Sequence, residues 1–301
     1  MKIYGDYHTH SEFSRDGTAT IDAMVKTAKE IGLHEIAITD HGSRAFINGC
    51  KTKNYKHIRA LIDKAKQEYG IPVYFGVEAN LTGRNGQIDV AEDFRRDIDI
   101  LLCGIHPGVW PAKFWDIFTF LIPNYFCFIF RWFPKSRVRR NTHAMINAIE
   151  KNDIDIWTHP NRYFKLNVLE VAKTCVERGT LIELNGKQGI NFRPIDFERM
   201  LEVGAKFVIN SDAHRTKDVG QIDRVTEFLK NCDWQESDIV NLHGPLKRES
   251  HVLEKIIEEH QIDGETNIIQ DEIFTIDKKE QKRLAKEQKK REKEIRKKAI
   301  N

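Results

Sequence analysis

Residues 35–41 read EIAITDH, a short apolar run that ends in an aspartate and a histidine. The run Glu35–Thr39 has the length and β-branched character of a strand that is buried on both faces of a sheet. Asp40 and His41 follow it directly, and both residue types can bind a metal ion. The same combination of a short buried run and a polar end recurs along the chain, so it decides the fold.

Six further runs of similar character occur, and amphipathic segments separate them. The predicted strands are Ile3–Tyr7, Glu35–Thr39, Val73–Val77, Ile98–Gly104, Ile154–Thr158, Thr180–Leu184 and Lys206–Asn210. Apolar residues at i, i+3, i+4 and i+7 indicate helices that include residues 21–28, 58–65 and 168–175. Left-handed helix caps are expected at Gly32, Gly70, Gly179 and Gly204. Seven βα units in a row predict a parallel α/β fold, either a closed barrel or an open doubly wound sheet.

Length and charge limit the possible classes of protein. The 301 residues allow one large domain or two modest ones, and the net charge is +3. Residues 277–301 carry 12 Lys and Arg against 5 Asp and Glu, so the preceding part of the chain is mildly acidic. The five cysteines form no short-spaced framework, and the first residues lack the pattern of a signal peptide. We therefore expect a reducing, cytoplasmic setting.

Metal-binding residue types cluster at the ends of six of the seven predicted strands. These candidate ligands are His8, His10, Asp16, His41, Glu78, His106, His159, Asp212 and His214. The carboxyl ends of barrel strands meet on one face, so residues two hundred positions apart would come together there. Imidazole nitrogens combined with carboxylate oxygens suit Zn, Mn or Fe better than Ca or Mg. Nine donors exceed the need of one tetrahedral ion, so we predict two or three divalent transition metals.

Seven short motifs hold or neighbour these residues: DYHTHSEFSRDG (6–17), AITDHG (37–42), GVE (76–78), GIHPG (104–108), THPNR (158–162), IELN (182–185) and NSDAH (210–214). They resemble the motifs of the polymerase and histidinol phosphatase (PHP) family of metal-dependent phosphoesterases. The similarity covers about residues 2–245. NTHAMINAI (141–149) and THPN look most like the bacterial trinuclear-zinc PHP phosphatases. The resemblance implies a distorted (β/α)7, TIM-like barrel over residues 1–245.

The resemblance also implies how the ligands divide among the ions. One ion would take His8, His10, Glu78 and Asp212. A second would share Glu78 and add His106, and a third would take Asp16, His41, His159 and His214. Some relatives have His at the position of Asp16, and a carboxylate there could shift the metal preference towards Mn or Fe. Asp40 would orient His41 or another ligand.

A phosphoesterase reaction fits this donor set, because bound dications lower the pKa of water and neutralise phosphoryl charge. We expect hydrolysis of a small-molecule phosphate monoester by metal-activated hydroxide at a di- or trinuclear site. Candidate phosphate-binding cations lie beside the ligand motifs: Arg44, Arg162, Lys187, Arg193 and Arg215. Arg162 and Arg215 follow His159 and His214 most closely, so with Asp40 they complete the predicted catalytic machinery.

Three other functions stay open at this point. The first is a nuclease or nucleotide phosphodiesterase of the same superfamily, which the basic tail would favour. The second is an amidohydrolase, although the chain shows no lysine placed to bridge two metals. The third is a non-catalytic module with a closed, structural metal site.

Two segments do not follow the βα alternation. Ten of the twenty residues 114–133 are aromatic, and residues 117–130 carry no charge. Pro123 and Asn124 interrupt this stretch, which disfavours a transmembrane helix. We consider three roles for the insertion 114–140: a hydrophobic plug or dimer contact, a lid over the site, or a membrane-surface loop assisted by its basic flanks.

The C-terminal region forms the second exception. We predict a helical extension over residues 246–276 and a basic, solvated tail over residues 277–301. The tail could contact an anionic membrane or nucleic acid, although it lacks the aromatic residues that stack on bases. The expected partners are therefore a phosphorylated small molecule and, in a homo-oligomer, a second copy of the chain.

Overall fold

The computed structural model describes residues 1–95 and 97–246. These residues include a compact unit that extends from Met1 to Leu246. The predicted C-terminal extension, from residue 247 onwards, and the basic tail lie outside the described residues.

Seven parallel strands pair in the order of the sequence, as predicted. They are β1 (Gly5–Asp6), β2 (Glu35–Ile38), β3 (Val73–Asn80), β4 (Ile100–Gly104), β5 (Ile156–Trp157), β6 (Leu181–Asn185) and β7 (Phe207–Asn210). The edge strands approach each other, because Thr9 and Ala213 form a parallel bridge just beyond β1 and β7. The sheet is therefore a nearly closed barrel, and the alternative of an open doubly wound sheet is wrong.

Helices connect the strands and cover the outside of the barrel. They are α1 (Ile21–Glu30), α2 (Tyr55–Tyr69), α3 (Glu92–Arg95), α4 (Phe114–Asp116), α5 (Ile122–Ile129), α6 (Lys135–Lys151), α7 (Val168–Arg178), α8 (Pro194–Glu202) and α9 (Asp223–Leu229). Short 3₁₀ turns lie at Thr52–Asn54, Thr216–Asp218 and Glu236–Asp238, and a π-helical turn at Ile117–Leu121. The four predicted cap glycines all have positive φ, between 65° and 88°.

The barrel interior has an apolar lower part and a polar upper part. Alternate side chains of a strand point to opposite faces, so one set faces the helices and the other faces the barrel axis. The lower interior is an apolar cluster: Tyr7, Ala37, Ile100, Leu102, Ile156 and Val208. One step further along three strands the inward residues are buried and polar: Glu78, Glu183, Asn185 and Asn210. The strands thus place polar side chains at the carboxyl end of the barrel, and apolar side chains fill its interior below them.

A single amide side chain joins the two edge strands below the bridge. The Asn241 amide nitrogen donates to the carbonyls of Gly5 (2.9 Å) and Ile209 (2.7 Å), and its oxygen accepts from Ile209 N–H (3.0 Å). Tyr4 N–H, in turn, donates to the backbone carbonyl of Asn241 (2.8 Å). These bonds explain why β1 is shorter than predicted. The N–H of Tyr4 and the carbonyl of Gly5 bond to Asn241, which lies in a loop, and not to a neighbouring strand.

The aromatic insertion forms a continuous helical segment from α4 through the π turn to α5. Pro123 has no N–H to bond with the carbonyl of Thr119, four residues earlier. The guanidinium of Arg137 on α6 donates to that carbonyl instead, at 3.0 Å. Arg131 then ends the segment with a left-handed φ of 51°. Within the described residues, no helix combines the length and apolarity needed to cross a membrane.

We predict that Asn241→Ala destabilises the barrel by about 3 kcal/mol, because it leaves buried backbone groups of Gly5 and Ile209 without partners. The matched control is Asn231→Ala, since the exposed Asn231 amide donates, among the described residues, only to the backbone carbonyl of Glu227. The control should change the free energy of unfolding by less than about 0.5 kcal/mol. Urea denaturation of both variants measures the difference, and equal midpoints would contradict the role of Asn241.

Candidate metal centre

All nine predicted ligands meet at the carboxyl ends of the strands. Glu78 belongs to β3, and the others stand on the loops that follow the strands. Eight of the nine residues expose at most about a tenth of the side chain, whereas Asp16 is 37% exposed. Gly104 at the end of β4 makes room for this convergence, since a Cβ there would lie 3.0 Å from the rings of both His106 and His159.

Glu78 lies at the centre of the cluster. Five imidazole nitrogens lie within 3.5 Å of its two oxygens, those of His8, His10, His41, His106 and His159. Burial raises the pKa of Glu78, but the surrounding imidazoles outweigh burial and hold that pKa well below its ordinary value. Glu78 is therefore a carboxylate at neutral pH, with one oxygen facing each side of the cluster.

The distances divide the donors into three neighbouring groups. On one side of Glu78, Asp212 Oδ1 lies 3.8 Å from His8 Nε2 and 3.5 Å from His10 Nε2. On the other side, the Nε2 atoms of His106 and His159 are 3.0 Å apart. In the third group, Asp16 Oδ2 lies 3.3 Å from both His41 Nε2 and His214 Nε2.

This division differs at one residue from the one that the resemblance implies. His159 Nε2 lies 2.8 Å from Glu78 Oε1, so it belongs with Glu78 and His106 and not with Asp16. The left-handed backbone of His159, with φ 26°, turns its ring in that direction. Its N–H donates to Glu183 Oε2 at 2.8 Å, which holds this strained conformation in place.

The donor set fits transition metals. His8 Nε2 and His10 Nε2 are 3.0 Å apart and both point at Glu78 and Asp212, a geometry that a shared ion would explain. Three sets of three donors have ligand atoms within 4.8 Å of one another: His8 with His10 and Glu78, His10 with His41 and His214, and His41 with Glu78 and His106. Mixed imidazole and carboxylate donors suit Zn, Mn or Fe.

A family comparison agrees with this geometry. A model of the PHP domain matches residues 6–186. The chain belongs to the PHP domain family. The matched residues include seven of the nine candidate ligands, and the other two, Asp212 and His214, lie on the loop after β7.

Curated relatives extend the similarity beyond the PHP domain match. A probable phosphatase of Caldanaerobacter subterraneus subsp. tengcongensis is 28% identical over 249 residues, which cover 80% of this chain and 88% of the relative. A probable phosphatase of Acetivibrio thermocellus is 30% identical over 240 residues, which cover 77% of this chain and 88% of the relative.

A solved structure shares the barrel. Histidinol phosphate phosphatase from Lactococcus lactis subsp. lactis, in complex with zinc, L-histidinol and phosphate, has a TM-score of 0.51 and 16% identity. The similarity covers 77% of this chain and 94% of that structure. It supports the PHP barrel fold and not a particular substrate.

Glu183 is a buried carboxylate that contacts two candidate ligands, and the sequence reasoning missed it. It is buried on β6, and its carboxylate lies 2.6 Å from His8 Nδ1 and accepts from the His159 N–H. The amides of Asn185 and Asn210 donate to it as well, at 2.9 and 3.0 Å. The signal was an acidic residue inside the apolar strand of the IELN motif, the one predicted strand without a candidate ligand. Glu183 orients ligands of two groups at once.

Asp40 acts on the backbone of a ligand loop. Its carboxylate accepts from the N–H and the hydroxyl of Ser11, at 2.8 and 2.6 Å, and Ser11 directly follows His10. Asp6 repeats the arrangement with Ser211, at 3.1 and 2.5 Å, next to Asp212. Of the two roles predicted for Asp40, the contacts favour positioning of another ligand, His10, over His41.

A cavity of about 640 Å³ opens from the metal centre to the surface. Three cationic residues line it: Arg15, Lys187 and Arg215. Lys187 Nζ lies 2.7 Å from His214 Nδ1, and the Arg215 guanidinium pairs with Asp218 at 2.8 Å. Arg15 was missed, although it directly precedes Asp16 in the first motif.

The other predicted cations are not among the described residues that line the cavity. Arg162 is exposed, and its Nε donates at 2.8 Å to Gln188, which lines the cavity. Arg44 bonds to the carbonyl of Pro111, and Arg193 pairs with Asp196 at the start of α8. Neither Arg44 nor Arg193 is one of the described residues that line the cavity.

We predict that Glu183→Gln weakens metal binding about 10- to 100-fold, because the amide keeps the size of the side chain but removes the charge beside His8. Competition with a chromophoric chelator measures the affinity. Glu177→Gln, an exposed glutamate on α7, is the matched control and should bind metal as the unmodified protein does. Equal affinities of the two variants would refute the role of Glu183.

Proposed function

We propose that this PHP domain is a metal-dependent phosphatase that hydrolyses a small-molecule phosphate monoester. The observation that carries the proposal is the cluster of nine donor residues with Glu78 at its centre, placed at the inner end of an open cavity. When bound there, divalent metals lower the pKa of water towards about 7 and neutralise charge on phosphoryl oxygens. The named relatives and the zinc and phosphate of the Lactococcus complex support the same reaction class and Zn as the first metal to test.

The protein's own groups would bind and orient both the metals and the substrate. Glu78 connects the donor groups, while Glu183 and Asp40 hold the ligand rings and loops. Lys187 and Arg215 face the cavity and favour an anionic ligand, and Arg162 stands beside its wall. A cavity of about 640 Å³ has the size that small-molecule ligands require. This volume favours a monoester of a small molecule over a nucleic-acid chain.

The first experiment combines metal analysis with turnover. We expect about two to three transition-metal ions per chain and hydrolysis of p-nitrophenyl phosphate that a chelator abolishes and added Zn or Mn restores. Faster hydrolysis of bis(p-nitrophenyl) phosphate would favour the phosphodiesterase alternative. Full metal occupancy without turnover on either ester would favour the non-catalytic module, and no metal after reconstitution would contradict the proposal. Screening phosphate monoesters, L-histidinol phosphate included, then identifies the substrate.

Two arginines provide a matched test of phosphate binding. Arg215 and Arg193 each pair with an aspartate three residues later, at 2.8 Å in both cases, but only Arg215 lines the cavity. We predict that Arg215→Ala lowers kcat/KM about tenfold or more, because a charged hydrogen bond to phosphate contributes about 1.5–3 kcal/mol. Bound metal should not change. Arg193→Ala should leave the kinetics unchanged, and the same loss in both variants would rule out a specific role.

Arg162→Ala tests the second predicted arginine. Its place beside Gln188 predicts a higher KM or lower kcat with bound metal intact. Steady-state kinetics on the same phosphate monoester check this expectation. Unchanged constants would remove Arg162 from the proposed site.

A further inference from the structure

The helical segment of the insertion has its polar and apolar sides reversed. Surface helices normally turn their apolar side to the core and their polar side to solvent. Here the buried positions recur at a helical spacing and include two polar residues: Asp116, Phe120, Asn124 and Cys127. The outward side is aromatic, with Phe114, Trp115, Phe118, Phe126, Phe130 and Trp132 between 52% and 70% exposed. We call this outward side, residues 114–132, the aromatic face.

The polar inward side attaches the segment to the barrel. Asp116 lies 3.7 Å from the Arg84 guanidinium and 3.3 Å from the Thr119 hydroxyl. Arg137 donates to the Thr119 carbonyl, so this contact joins α6 to the inward side of the segment. The contacts of Asp116 and Arg137 therefore hold this side of the segment inward, and the aromatic side chains on the other side face outward.

The exposed charges in the stretch of chain that carries the aromatic face, residues 110–140, are all positive. Asp116 is the only acidic residue among residues 110–140, and it is buried. Five exposed cations lie in the same stretch: Lys113, Arg131, Lys135, Arg139 and Arg140. Lys113 and Arg131 directly flank the two ends of the helical segment. A partner surface must therefore accept aromatic rings and supply negative charge.

A second copy of the chain does not meet this requirement. A two-fold dimer places the same patch on both sides of the interface, so these cations would face cations. An anionic bilayer meets both conditions, because aromatic rings favour the headgroup region and anionic lipids attract flanking Lys and Arg. The helical segment 114–129 is about 24 Å long at 1.5 Å per residue, shorter than a hydrocarbon core of about 30 Å. It would lie on the surface of a bilayer.

We propose that the aromatic face binds the surface of an anionic lipid bilayer. Its inner edge reaches the metal-centre cavity, because the Phe128 ring packs on Tyr163 with centroids 6.1 Å apart, and Tyr163 lines the cavity. The exposed Ile47 lines the cavity as well. Docking through this face therefore brings the cavity close to the lipid headgroups.

Sedimentation of the full-length protein with vesicles tests the proposal. We expect binding to vesicles of phosphatidylcholine with about 30 mol% phosphatidylglycerol, and at least about tenfold weaker binding to phosphatidylcholine alone. Binding should weaken in ~0.5 M NaCl, because salt screens the cations. A protein that stays in the supernatant with anionic vesicles at low salt would overturn the proposal.

Two double variants assign the binding to this face. Trp115→Ser with Phe126→Ser should weaken binding at least about tenfold through loss of buried apolar area. Lys113→Gln with Arg131→Asn should weaken vesicle binding about 30-fold, because each of the two cations strengthens binding roughly fivefold near an anionic surface. The matched controls are Ile195→Ser with Val176→Ser, and Lys64→Gln with Lys173→Gln, all exposed on other helices. Both controls should bind as the unmodified protein does.

The remaining outcomes would overturn the proposal. If both variants of the aromatic face bind vesicles as the unmodified protein does, another part of the chain binds the vesicles. A lipid-free dimer in analytical ultracentrifugation that Trp115→Ser with Phe126→Ser dissociates would assign the face to a second copy. The charge variant alters only exposed side chains, so it keeps the test valid if the aromatic variant does not fold.

Discussion

The other features of the site depend on the contacts between the buried carboxylate of Glu78 and the imidazoles around it. The carboxylate is buried and carries a negative charge, a state that is costly unless opposite charges or hydrogen-bond donors surround it. Five imidazoles from four different loops supply that surrounding, so the loops must close over one point. Because each oxygen of Glu78 faces a different group of histidines, one side chain connects two of the three groups, and His41 links it to the third.

The scaffold meets this demand with a second layer of buried acidic and amide groups. Glu183 holds two candidate ligands, and Asp6 and Asp40 each hold a serine next to a candidate ligand. Below this layer the barrel axis is filled with apolar side chains. The strained backbone at His159 and Asp212, both with positive φ, lies at the boundary between strand and loop, where such conformations are held by the surrounding hydrogen bonds.

The insertion presents an aromatic surface without interrupting the strand order of the barrel. It leaves the barrel after β4 and returns through α6, so the strand order is unaffected. Pro123 and Arg137 together set its geometry, because the proline leaves a carbonyl free and the arginine takes it. The consequence is a helix that presents aromatic rings outward and connects them, through Phe128 and Tyr163, with the cavity wall.

The sequence by itself determined the seven strands, the cap glycines and the nine donors, because short buried runs and the residues that end them are local patterns. The strand order and the convergence of the donors follow from the same repeat. Tertiary structure alone decided that His159 lies with His106, since the backbone turn after β5 sets the direction of its ring. It also decided the roles of Glu183 and Asn241, whose partners lie 175 and 236 positions away along the chain. The outward direction of the aromatic rings depended on packing too, because hydropathy did not distinguish a buried plug from a lid or an exposed surface loop.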